Sequence, residues 1–149
     1  MAIKAKDYAR YRDEQFSVFE NYARKNSLNS KSMLVLMWIY YSQGEMTQDL
    51  IAKRTYSTKQ VIQAIIKGFQ NKELLYLEPS VADRRKKIIR LTERGQAYAA
   101  EILDPLRAAE DLAMSKLSEE QQVALLEATR VFSLELKNNL ESSAGQLDD

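Results

Sequence analysis

Residues 83–87 are five consecutive charged side chains, Asp83, Arg84, Arg85, Lys86 and Lys87, and the apolar run "IIRL" follows them directly. Four adjacent cations repel one another, and within the stretch only Asp83 offers a countercharge. A polyanion would supply the rest, and the repeating anion that suits both Arg and Lys is a nucleic-acid phosphate. Asp83 is also spaced to clamp Arg85 in a two-bonded pair, fixing the loop and aiming its neighbours. "DRRKKIIRLTERG", residues 83–95, is therefore expected to be the tip and return strand of a nucleic-acid-contacting hairpin.

A second polar set lies upstream: Ser57, Thr58, Lys59, Gln60, Gln63 and Lys67. Gln60 and Gln63 are three apart, so on a helix they share a face. A glutamine amide pairs two-fold with adenine, and lysine reaches the acceptors of guanine. Ser57 and Thr58 fall at the expected helix start, where free N–H groups and the helix dipole favour phosphate. Lys and Gln are also common on plain solvated faces, so this row gains meaning only from the basic hairpin behind it.

The bulk composition narrows the chemistry. The 149 residues include no Cys and no His, which removes disulfides, thiolate or imidazole metal sites, Cys nucleophiles and imidazole bases. No glycine-rich phosphate loop is present, and the carboxylates fit capping and ion-pair roles, so neither an enzyme nor a cofactor is expected. The longest apolar run, "MLVLMWIYY", is far short of the roughly 20 residues that span a bilayer. The N-terminus has no apolar signal core, so a cytoplasmic protein is the expectation. The net charge is only +1, but it is unevenly spread. Residues 45–94 carry eleven Lys/Arg against six Asp/Glu, while residues 95–149 carry four against eleven. A basic middle and an acidic end suit one surface for a polyanion and another kept clear of it.

The elements that would position these residues follow from periodicity. Tyr8, Tyr11, Phe16, Phe19 and Tyr22 recur at helical spacings over about 7–25, and residues 32–41 are apolar nearly all round, as in a buried helix. Thr47 caps a helix through about Arg54 with Leu50 and Ile51 inward. After the turn "TYS", a helix from Thr58 carries Ile62, Ile65, Ile66 and Phe69 on one side; the pair has helix-turn-helix spacing. "LLYLEPS" and "KIIRL" are strands of a hairpin, the second with Ile89 and Leu91 on one face, and Thr92 caps the helix that follows. Pro105 should kink or split that helix near Asp104. "SEEQ", 118–121, opens a last helix as a capping box, and "SSAGQLDD" looks frayed. The terminal stripes, Val123, Leu126, Val131 and Leu134 among them, need a partner, and a two-fold mate would supply one.

From "MTQDLIAKRTYSTKQVIQAIIKGFQNKELLYLEP" through "DRRKKIIRLTERG" the chain resembles the multiple antibiotic resistance regulator (MarR) family of winged helix-turn-helix transcription factors. The specific match is Asp83, Arg84 and Arg85, then Leu91, Thr92 and Gly95, and the flanking helices extend it over nearly the whole chain. The resemblance implies a mainly α fold with a small β-hairpin wing, in one domain spanning 1–149. Residues 31–95 would be the winged helix-turn-helix DNA-binding region, and 1–30 with 96–141 the helical dimerisation region. It further implies a homodimer on a pseudo-palindromic operator in double-stranded DNA, a repressor, with the second helix in the major groove and the wing over a minor groove. Release by a small aromatic or amphipathic effector is part of the pattern, for which Tyr11, Phe16, Met37, Trp38 and Tyr41 offer a pocket. Oxidant sensing by Cys and zinc binding through His are closed to this chain. The chain departs from the family at Thr55, Tyr56 and Ser57 in the turn and at Ala64 on the recognition helix. It also has Glu73 where glycine is common, which would leave Asn71 or Lys72 to end the helix. The competing reading is a winged helix used for protein contact without specific DNA binding.

Overall fold

The computed structural model describes residues 2–147, with side chains as far as residue 142. The described elements are α1 (Ala5–Lys25), α2 (Ser30–Tyr40), α3 (Gln48–Arg54), α4 (Lys59–Asn71), β1 (Leu75–Pro79), β2 (Lys87–Leu91), α5 (Glu93–Ser115) and α6 (Glu119–Leu147). This is the mainly helical chain with one small hairpin that the sequence implied. It divides into two compact units, Met1–Asp104 and Pro105–Asp149.

The first unit is built around α2. Met33, Val35, Leu36 and Ile39 are buried on it, which is why the helix can be apolar on nearly every side. Ile51 of α3, Ile62, Ile66 and Phe69 of α4, and Ala99, Ile102 and Leu103 of α5 complete the core. Leu50 and Ile65, expected inward, are only half-buried. Capping chemistry sets the helix starts: the side chains of Asn29, Thr47 and Thr58 accept from the N–H groups of Ser32, Leu50 and Val61.

The helix ends use one device three times. Leu28 N–H donates to Ala23 O and Ser27 N–H to Arg24 O; the same pair of bonds recurs at Ser57/Tyr56 and at Leu74/Glu73. This is the Schellman ending, whose turning residue is usually glycine because φ is positive there. Here the turning residues are Ser27 (φ 60), Tyr56 (φ 52) and Glu73 (φ 60). α4 ends at Asn71 with Lys72 as its C-cap, as expected, and Glu73 after them takes the glycine conformation itself.

β1 and β2 pair antiparallel, with Leu75 opposite Leu91, Leu77 opposite Ile89 and Glu78 opposite Ile88. The sequence pattern put Ile89 and Leu91 on one face; Ile88 on the other is buried as fully as Ile89, while Leu91 is half-buried. Neighbouring strand residues point to opposite faces, so both sides of β2 are covered at this level. The edge is covered too: Ile89 N–H donates to Met46 O at 2.8 Å, laying the segment before α3 along β2. A hairpin that is marginal by itself is thereby held on more than one side.

Pro105 does not split α5, which is continuous from Glu93 to Ser115. The turn before it is held from outside: Tyr22 Oη donates to Ile102 O at 2.6 Å, Tyr41 Oη to Leu103 O at 3.2 Å and Tyr40 Oη to the Asp104 carboxylate at 2.8 Å. That last bond, with the carboxylate charge behind it, pushes the Tyr40 phenol pKa up.

The second unit holds the end of α5 and α6, joined through a complete capping box: Gln121 N–H donates to Ser118 Oγ at 3.2 Å, and Ser118 N–H to Gln121 Oε1 at 2.9 Å. Many of its apolar residues, among them Leu112, Val123, Leu126, Val131, Leu134 and Leu140, are exposed. α6 stays helical to Leu147, further than the frayed tail read from 142 onward; residues 148 and 149 of that stretch lie outside the described residues.

Candidate nucleic-acid interface

The basic run sits where its chemistry suggested. Lys86 N–H donates to Asp83 O at 2.9 Å, closing a β-turn with Arg84 and Arg85 as its two central residues. Asp83 Oδ1 accepts from the main-chain N–H of Arg85 at 3.1 Å, the bond that aspartate at the first turn position makes. The expected clamp on the Arg85 guanidinium is replaced by this main-chain bond, because a short side chain two residues away reaches the N–H first. The effect on the neighbours is similar. Both arginines are presented at the tip, and Asp83, Lys86 and Lys87 are exposed beside them.

Behind the tip the strands are cross-braced. Arg90 Nε donates to Glu78 Oε1 at 2.8 Å, and this bond holds the guanidinium still more firmly protonated. At the far end, Thr92 Oγ donates to Glu73 O at 2.7 Å and accepts from Gly95 N–H at 2.9 Å, so one hydroxyl ties the end of α4 to the start of α5. Gly95 is compelled by space: a Cβ there would lie 1.7 Å from Leu74 O.

On α4, Gln60, Gln63 and Lys67 are exposed and recur at three and seven residues, one face of the helix. Thr58 and Lys59 are exposed as well, Ser57 is half-buried, and Lys59 Nζ lies 3.5 Å from Asp49 Oδ1. Both groups of that pair are 77% exposed, so water and salt screen it and Lys59 stays available. Val61, which the polar row left out, is 44% exposed and adds an apolar contact to the helix surface. The hairpin and α4 belong to the same compact unit.

A model of the MarR family matches residues 27–86, the span from α2 to the basic turn. The repressor NicR of Pseudomonas putida, a helix-turn-helix transcriptional regulator, is 29% identical over 110 residues, 74% of this chain and 69% of that protein. Over these stretches the chain is similar to the MarR family. Solved structures give the same fold. A MarR family regulator from Neisseria meningitidis superposes with a TM-score of 0.76 at 21% identity, covering 95% of this chain and 99% of that one. MepR of Staphylococcus aureus, in a DNA-binding conformation, superposes with a TM-score of 0.77 at 20% identity, covering 90% and 99%.

Several positioning residues of this chain have no local signal in the sequence. Lys31 of α2 reaches the helix-turn-helix turn, donating to Ser57 Oγ at 2.8 Å and Thr55 O at 3.3 Å. Arg54 lies 5.1 Å above the Trp38 ring, a cation–π contact that joins α3 to α2. These partners lie 16 to 26 residues apart in sequence, so only the folded chain reveals them. The five residues read as pocket material are placed unequally. Tyr11 and Phe16 of α1 are 57% and 56% exposed, while Met37, Trp38 and Tyr41 are half-buried. A surface hollow of about 350 Å³ lies instead against Asn71, Lys72, Glu73, Leu74, Arg94 and Tyr98, with none of the five in its wall. Among the described residues no helix is long and apolar enough to cross a membrane, and no group of three or more Asp or Glu is placed to hold a metal ion.

Proposed function

We propose that this protein is a sequence-specific, double-stranded-DNA-binding transcriptional regulator that acts in the cytoplasm as a homodimer and represses from pseudo-palindromic operators. The observation that carries the reading is the β-turn at 83–86, which sets Arg84 and Arg85 at the exposed tip of a braced hairpin. Residues 31–95 would be the DNA-binding region. α4 enters a major groove with Gln60, Gln63 and Lys67 toward base edges, while Ser57, Thr58 and Lys59 meet phosphate. The wing residues Asp83 to Lys87 lie over the adjacent minor groove, Arg85 entering it and Arg84 and Lys86 touching phosphate. Residues 1–30 and 96–141 would form the dimer body, whose acidic α5 and α6 stay clear of the duplex. NicR is itself a transcriptional repressor, and the MepR structure with the same fold is in a DNA-binding conformation, which supports the reading.

Selection of bound fragments from genomic DNA tests the proposal and yields two half-sites about one helical turn apart. On the selected duplex, three or four phosphate contacts per subunit imply a fall in affinity of roughly three orders of magnitude or more between 50 and 200 mM salt. R84A/R85A abolishes binding in an anisotropy titration while leaving a folded dimer. Undiminished affinity of that variant would remove the wing from the interface. The reading includes release by a small aromatic or amphipathic effector, for which Trp38 is the reporter. A saturable fluorescence change matched by loss of duplex supports it, and silence across a broad phenolic panel removes it.

A further inference from the structure

The loop that carries the basic turn is fastened at its root by one hydroxyl. Ser80 is 1% exposed, although Val81 beside it is 98% exposed. A serine hydroxyl has one hydrogen to give and two lone pairs to receive. Ser80 uses all three. Its Oγ donates to the Glu45 carboxylate, 3.0 and 3.2 Å from the two oxygens, and accepts from the N–H groups of Ala82 and Asp83 at 3.2 and 3.3 Å. Its own N–H donates to Lys86 O at 2.9 Å. Together with the bonds from Asp83 to Arg85 N–H and Lys86 N–H, these contacts close a ring beneath the two central arginines.

Glu45 is not part of the hairpin. It precedes Met46, whose carbonyl takes the Ile89 N–H, so it stands on the segment between α2 and α3 that runs along β2. The Glu45–Ser80 bond therefore fixes the ring to the body of the unit. The ladder from Leu75 to Lys87 does not depend on it, and neither does the buried pair Ile88 and Ile89.

We infer that Ser80 and Glu45 are positioning residues of the wing, a latch that sets where Arg84 and Arg85 stand without itself touching DNA. The inference rests on the regulator reading. A wing tip released from the latch samples many placements, and fixing it on the duplex then costs ordering entropy that the latched form has already met. Phosphate contacts made only part of the time also release fewer counterions, so the salt dependence flattens.

The test uses the full chain and the selected duplex. S80A and E45A are expected to keep the wild-type melting temperature to within a few degrees and the wild-type dimer mass. Each should lose roughly tenfold or more in affinity, with the slope of log K against log salt shallower by about 2, one contact per subunit. E45Q keeps an oxygen that accepts from Ser80 and should restore both quantities. Amide exchange at Ala82 and Asp83 should accelerate in S80A and E45A whether or not DNA is present. Wild-type affinity and slope in both alanine variants, or unchanged exchange, would overturn the inference. So would an equal loss in E45Q, which would make Glu45 a charge rather than an acceptor. A failure of the regulator reading looks different: the unsubstituted protein then binds no duplex at low salt.

Discussion

The two units of this chain solve the burial problem in opposite ways. In Met1–Asp104, α2 packs against α1, α4 and β2, and Met33, Val35, Leu36, Ile51 and Ile62 are fully buried. In Pro105–Asp149, no described side chain reaches that state, and Val123, Leu126, Val131 and Leu134 stand between 47% and 76% exposed. A helix of 29 residues with such a stripe gains little from its own chain, since most helical stability in proteins comes from packing an apolar face. The first unit is furnished to fold on its own contacts. The second is furnished for a partner, and the proposed homodimer supplies one.

The largest expected effect attacks the second unit. L126D/L134D places two charges per subunit on the stripe, and each leucine it replaces contributes about 2 kcal/mol when buried. Sedimentation should report a single-chain mass, and duplex affinity should fall beyond detection, because two wings no longer arrive together. A dimer that persists would move the interface off α6. The counterpart in the first unit is G95A. The new Cβ would meet Leu74 O at 1.7 Å and Leu74 C at 2.7 Å, both backbone atoms that no rotamer change can move away. A loss of roughly 3 kcal/mol, the upper end for overpacking, is expected in urea unfolding. A loss under about 1 kcal/mol would mean that α5 shifts freely against the end of α4.

A smaller effect separates folding from recognition within the first unit. Thr58 Oγ accepts from Val61 N–H at 3.2 Å, and T58A should cost about 1 kcal/mol of stability. Thr47 makes the equivalent bond to Leu50 N–H at 3.1 Å, so T47A should cost about the same. Because Thr58 is also placed at the proposed phosphate contact, T58A should lower duplex affinity and T47A should not. Equal affinities would leave Thr58 a cap and nothing more.

What could be read from the sequence was chemistry confined to neighbours in the chain. Thr47, Thr58, Thr92 and the Ser118–Gln121 box announce helix starts because a cap spans only three residues. The tip of the hairpin was legible for the same reason: Asp83 and the basic run after it form one turn. Contacts that join distant segments were not legible. Ser80 and Glu45 are 35 residues apart, and a serine after a proline looks like any loop serine until it is found buried. Alternation paired Ile89 with Leu91 and said nothing of a second covered face, so the burial of Ile88 was not legible, and Pro105 looked like a break because the tyrosines that hold the preceding turn come from α1 and the end of α2. The helix ends misled in their own way, since sequence reading looks for glycine where this chain uses Ser27, Tyr56 and Glu73.

Those glycine-free ends yield the smallest effect and the sharpest separation of the two units. A side chain at positive φ costs roughly 1 kcal/mol or more, because Cβ crowds the following carbonyl. Glu73 offsets little of this: its carboxylate lies 3.9 Å from Arg94, with both side chains more than 70% exposed. E73G should therefore stabilise the first unit by about 1 kcal/mol, reduced somewhat by the greater freedom of glycine in the unfolded chain. Its readout is a higher urea midpoint at unchanged slope. Dimer mass at a given concentration should not change, because Glu73 lies in the first unit, outside the stripe on α6. Y56G should gain a similar amount, but Tyr56 is 79% exposed one residue before Ser57, beside the proposed recognition helix. A stability gain at both positions, with duplex affinity lost only in Y56G, would show that the tyrosine is kept for contact at the cost of strain. Equal affinities would show that both of these ends are merely tolerated, and a loss of stability in E73G would mean that the Arg94 pair outweighs the backbone.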